Sequence, residues 1–91
     1  MDHKIREFIV EFFMEKGKFS GLDKSEFLNI NFIEEKHLDS IEFITLISEI
    51  EENFGLVFTE DDIQSSLFSS IEGIVKITNS RFHSGHNHLK N

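Results

Sequence analysis

Apolar residues recur at helical spacing in three stretches of the chain. In the first, Ile5, Phe8, Ile9, Phe12 and Phe13 repeat with Lys4, Arg6, Glu7, Glu11 and Glu15 around them, which predicts an amphipathic helix ending near Gly17 with its phenylalanines in the core. In the second, Phe43, Leu46, Ile47, Ile50 and Phe54 fall on one side of a wheel turning about 100° per residue, predicting a helix over 40–53 with Gly55 placed to end it in the left-handed conformation. Ile71, Ile74, Val75 and Thr78 form the third stripe. Between the last two, Leu56-Val57-Phe58 has strand-like composition but no second strand to pair with, so it reads as an apolar connector into the core. Thr59 and Asp62 are spaced as a capping box and open a short helix through about Ser65; Ser69 and Glu72 repeat the device for the last helix. Gly73 within that helix costs about 1 kcal/mol relative to alanine, and the pattern gives no reason for it beyond close packing.

The segment from Lys18 to Leu38 has no strong period. A structureless connection above about fifteen residues counts against an assignment unless it has a job. Phe19, Leu22, Phe27, Ile30, Phe32 and Ile33 pin it to the bundle as it crosses, and a turn of helix fits between Asp23 and Leu28. The expected fold is all-α: a small four-helix bundle, three longer helices plus a short third helix, with a long first loop. Residues 1–80 make the bundle; residues 81–91, polar and aperiodic, are expected to be a flexible C-terminal tail.

Ninety-one residues make one small domain with a modest core and no deep catalytic cavity. Cysteine is absent, so the chain offers no thiolate, disulfide or sulfur-rich metal site of its own. The formal charge of −8 argues against nucleic acid as partner, since that binding needs basic side chains to displace phosphate counterions. The charge is also unevenly placed. From His37 to Val75 there is no lysine or arginine, while Asp39, Glu42, Glu49, Glu51, Glu52, Glu60, Asp61, Asp62 and Glu72 all lie there. Such a one-sign field steers partners that carry basic patches. The N-terminus lacks an apolar signal region, and no stretch approaches the roughly eighteen apolar residues of a membrane span, so no membrane insertion and a cytoplasmic location are expected. His83, His86 and His88 are close enough to share a metal ion, but no carboxylate or thiol completes the set, and no metal site is assigned.

Candidate chemistry centres on Leu38-Asp39-Ser40-Ile41-Glu42. Asp39 and Glu42 stand as the two ends of a capping box, with Ser40 the first helical residue. Asp-Ser at a helix start is by itself only a cap. Here, though, the serine is not needed as the cap, and its hydroxyl projects from the helix mouth, where free N–H groups and the macrodipole favour an attached anion. Ile41 and Ile44 do not join the core stripe. They fall beside Ser40 and Ser48 on the outward arc, rimmed by Glu42, Glu49, Glu51 and Glu52, the composition of a docking surface.

These residues resemble the acyl and peptidyl carrier proteins, whose hallmark is Asp-Ser-Leu opening the second helix of a small helical bundle; Asp39-Ser40-Ile41 differs conservatively at the last position. The likeness extends through Glu42-Phe43-Ile44-Thr45-Leu46-Ile47 and Glu51-Glu52-Asn53-Phe54-Gly55 to Ile71, Ile74 and Val75, covering about Ile5 to Thr78. It implies that Ser40 carries a covalent 4′-phosphopantetheine arm transferred from coenzyme A by a phosphopantetheinyl transferase, with the divalent cation supplied at that enzyme. It also implies that Asp39 takes part in that contact, and that the arm's thiol holds acyl or aminoacyl groups as thioesters. Asp39, Ile41, Glu42, Ile44, Ser48, Glu49, Glu51 and Asp61 are then the residues read by the transferase and by acyl-loading and acyl-transferring enzymes with basic docking patches. The protein would act as a monomeric carrier, not as an enzyme.

Two departures point away from the housekeeping fatty-acid carriers. His37 and Leu38 precede the motif where those members have Gly and a small residue. Phe43, one turn below Ser40, is often smaller there, and by volume should shrink any pocket for a long acyl chain. A discrete carrier in a specialised pathway, of polyketide, nonribosomal peptide or fatty-acid-like type, is the expectation. Two rivals are an unmodified acidic helical adaptor, and a hydrolase using Ser40 with a histidine. The hydrolase lacks a Gly-x-Ser-x-Gly elbow and an oxyanion hole.

Overall fold

The computed structural model describes the backbone of residues 2–18 and 23–89 and the side chains of 2–18, 23 and 26–83. Three long helices, α1 (Asp2–Glu15), α3 (Ser40–Phe54) and α5 (Ile71–Leu89), make the bundle. A one-turn α2 (Lys24–Phe27) lies in the first connection, and a short α4 (Glu60–Gln64) runs into a 3-10 turn (Ser66–Ser69) before α5. Among the described residues there is no strand. The expected all-α bundle is the fold observed.

Each long helix buries the stripe that its sequence marks out. Ile5, Ile9, Phe12 and Phe13 of α1, Leu46, Ile47 and Ile50 of α3, and Ile71, Ile74 and Val75 of α5 meet in one core. Phe43 and Phe54, at the two ends of the α3 stripe, are only half-buried; Phe54 closes one end of the core edge-on against Phe8, with ring centroids 5.6 Å apart. Gly55 has φ 66°, and the Leu56 N–H donates to the Glu51 carbonyl at 3.2 Å, the wrapped helix ending that a left-handed residue permits. The connector then alternates: Leu56 and Phe58 are buried and Val57 is turned outward.

The long first connection is stitched down by backbone as well as by side chains. Phe27 and Phe32 are buried. The Phe32 N–H donates to the Ser69 carbonyl at 2.8 Å, and the Glu72 N–H donates to the Leu28 carbonyl at 3.1 Å. These two clips fix the loop to the turn that precedes α5, giving the connection the job its length demands. Ile30 is half-buried against the core, whereas Ile33, also expected to pin the loop, is 43% exposed; Phe19 and Leu22, expected anchors too, lie outside the described residues.

Two details of α5 differ from expectation. Ser69 does not cap it: its hydroxyl donates to the Ser66 carbonyl, and Ser70 Oγ accepts the Gly73 N–H at 3.1 Å instead. The 3-10 turn uses up Ser69, which moves the cap one residue on. Glu72, expected to reach back to the cap, instead takes a bidentate bond from Arg6 of α1, at 2.5 and 2.9 Å. Secondly, α5 continues past residue 80, where the bundle was expected to end; Arg81 and Phe82 pack against it. Gly73 now has a reason. A Cβ there would overlap the backbone of Leu67, within 2.6 Å of its carbonyl carbon, so the 3-10 turn can lie against α5 only at a glycine.

Candidate functional site

The start of α3 is built as its sequence specifies. Asp39 has extended backbone geometry (φ −87°, ψ 177°), and its Oδ1 accepts the Glu42 N–H at 2.8 Å. In return Glu42 Oε1 accepts the Asp39 N–H at 3.1 Å. Lys18 Nζ stands 3.6 Å from the same Glu42 oxygen, tying the end of α1 to this cap. With the cap satisfied by its neighbours, Ser40 is left exposed, and its hydroxyl has no hydrogen-bond partner among the described residues. It lies at the positive end of a 15-residue helix.

Upstream, the loop is held by turn chemistry. Asn31 Oδ1 accepts the Ile33 and Glu34 N–H groups at 3.2 and 2.9 Å, and Lys36 takes a left-handed conformation (φ 58°) before the His37 N–H closes onto the Phe32 carbonyl at 2.9 Å. A non-glycine residue in that region is uncommon and is held by surrounding bonds. The half-buried His37 ring lies 3.7 Å from a Glu35 carboxylate oxygen. This folding places Leu38 in the core and Ile33 at the rim.

Beside Ser40 the elements leave a groove of about 460 Å³. Ile33 and Leu38 of the loop, Phe43 of α3, Ile63 of α4 and Phe68 of the 3-10 turn give it apolar walls, with Asp39, Ser40, Ser65 and Ser69 around them. That volume falls in the range of small-ligand pockets, about 300–1,000 Å³. Phe43, expected to shrink any pocket for a long acyl chain, forms one wall of the groove, its ring against Phe32 (centroids 6.4 Å) and Phe68 (6.2 Å, interplanar angle 85°). Sequence periodicity could not show the groove: Phe68, Ser65, Ser69 and Ile33 reach it from segments without a helical stripe, through the loop clips described above.

The outward arc of α3 also stands as its wheel specifies. Ile41 is 78% and Ile44 57% exposed, and Ser48, Glu49 and Glu52 are exposed beyond them. Glu51 departs from this face. Its Oε2 accepts the Phe58 N–H at 2.9 Å, so its carboxylate holds the connector in place. Asp61 is exposed on α4. The His83, His86 and His88 set is not brought together by what can be described: no group of three metal-ligating side chains occurs among the described residues, and the side chains of His86 and His88 lie outside them.

A helical bundle that holds one unpartnered serine hydroxyl at a helix mouth, next to an apolar groove, is suited to accept a group and display it rather than to transform it. The phosphopantetheine attachment site family model matches residues 18–77, from the end of α1 into α5, and the chain belongs to that family of acyl and peptidyl carrier proteins. No curated protein and no solved structure matches it. The family carries a covalently attached 4′-phosphopantetheine group, and its members serve phosphopantetheinyl transferases and biosynthetic enzymes as substrates. The start of α3 fits such a group: the Ser40 oxygen is open to solvent, the helix mouth favours a phosphodiester, and the adjoining walls are apolar. No helix among the described residues is long and apolar enough to cross a membrane.

Proposed function

We propose that Ser40 is the attachment residue and that the protein is a carrier of acyl or aminoacyl groups in a specialised biosynthetic pathway of polyketide, nonribosomal peptide or fatty-acid-like type. The observation that carries this reading is the exposed Ser40 hydroxyl, capped on neither side and placed at the N-terminus of α3 beside the groove. Its chemistry once modified is that of a terminal thiol, which holds the cargo as a thioester. The chain's own residues do the rest. Asp39 and Glu42 lock the first turn of α3, so that Ser40 is presented in one orientation to the transferase. Asp39 also offers its second carboxylate oxygen at that contact. Ile41, Ile44, Ser48, Glu49 and Asp61 give partners an apolar centre with an acidic rim, suited to enzymes with basic docking patches. The protein works as a cytoplasmic monomer.

Intact-mass measurement tests this directly. Incubation with coenzyme A and a broad-specificity phosphopantetheinyl transferase is expected to add one phosphopantetheine increment, which Ser40→Ala abolishes. An unmodified protein that still binds an enzyme through Ile41 and Ile44 would make the chain an adaptor instead.

A further inference from the structure

α4 is a short wall of the groove. It has five residues, none of them buried, and it contributes Ile63 to the wall, with Ser65 following it. Ile63 packs against the core, and Asp62 ties α4 to α5. The Asp62 carboxylate, which does not line the groove, receives Arg81 in bidentate fashion, Nε to Oδ2 at 2.6 Å and Nη2 to Oδ1 at 2.9 Å. The same carboxylate accepts the Thr59 N–H at 2.9 Å, closing the capping box that starts α4. One carboxylate thus both starts the short helix and ties it to α5. A bidentate guanidinium–carboxylate pair fixes direction as well as distance. Because Asp62 and Ile63 are adjacent, holding one fixes the lateral position of the other.

We propose that Arg81 is a positioning residue which, through Asp62, sets where α4 stands and hence the width of the groove beside Ser40. Its bearing on cargo, through the space open to a group held on Ser40, rests on the functional reading above. The width itself does not. Nothing in the local sequence marks Arg81 for this task, since it sits where the helical stripe has given way to polar residues.

The test uses the full-length unmodified protein, so failure of the Ser40 assay leaves it intact. Arg81→Gln keeps Asp62 and its cap while removing the bidentate donor; Arg81→Lys keeps the charge but not the fork. Hydrogen exchange of the amides at 60–65 is expected to quicken roughly three- to tenfold in Arg81→Gln and by less in Arg81→Lys, with the buried turns of α1 and α3 unchanged. In the same Arg81→Gln sample the methyl NMR signals of Ile63 and Ile33 are expected to shift while those of Ile5 and Ile9 stay in place. Unchanged exchange in α4, or a uniform rise across all helices, overturns the proposal. Faster exchange with unmoved Ile63 and Ile33 signals overturns the link to the groove.

Discussion

Gly73 and Asp39 are two positions where one atom decides the outcome. In an ordinary helix, Gly73→Ala would gain about 1 kcal/mol of propensity. Here the added Cβ meets the Leu67 backbone, and overpacking of that kind costs about 1–3 kcal/mol. The variant is therefore expected to unfold at lower denaturant concentration than the parent, the reverse of the propensity rule. Asp39 separates two roles by chemistry. Asp39→Ala loses the cap, worth about 1 kcal/mol, whereas Asp39→Asn keeps an acceptor of similar quality. Asp39→Asn is expected to match the parent in denaturation and to be phosphopantetheinylated more slowly; equal rates would leave Asp39 with capping alone. Local devices of this kind were legible in the sequence because both ends of the bond lie within three residues, as with Asp39 and Glu42 or Thr59 and Asp62. Ser69 misled for the same reason. Choosing Ser70 over it as the cap of α5 requires knowing that a 3-10 turn ends at Ser69.

The stripes of α1, α3 and α5 could be read directly, since burial repeats with the turn of the helix. How the helices are joined could not. Arg6 meets Glu72 across 66 positions of sequence, and Arg81 meets Asp62 across 19; no window centred on any of these residues contains its partner. The boundary drawn at residue 80 followed from composition, and α5 passes through it with Arg81 and Phe82 engaged. Deleting everything after Ser80 is accordingly expected to speed amide exchange in α4 at least as much as Arg81→Gln does, which hydrogen-exchange mass spectrometry can read. Phe43 illustrates the groove's invisibility. Volume alone says that it narrows a pocket, and only the rings of Phe32 and Phe68, delivered by the loop and the 3-10 turn, show which wall it forms.

Two carboxylates couple the whole molecule's stability to pH. Hydrogen bonds from Arg6 hold Glu72, and hydrogen bonds from Arg81 hold Asp62, below their ordinary values. Depressed values in the folded state mean that this stabilisation is complete above the ordinary carboxylate range and is lost as pH falls through the lower folded values. Urea midpoints are expected to be level near neutrality and to drop below about pH 4. The double variant Arg6→Gln, Arg81→Gln should show a smaller drop from a lower starting point. The net charge of −8 and the interval free of lysine and arginine around α3 give a second dependence. Association with a basic partner enzyme is expected to slow as salt rises from 20 to about 200 mM, with dissociation changing less, as stopped-flow mixing would show.

The clips from Phe32 to Ser69 and from Glu72 to Leu28 have a consequence for the order of events during synthesis. On the ribosome, Ser40 emerges well before Ser69 and Glu72, so for a time that serine is present without the segment that seats its loop. If Ser40 is the attachment residue, a transferase that reads the finished α3 mouth is expected to pass over such nascent chains until the start of α5 has emerged.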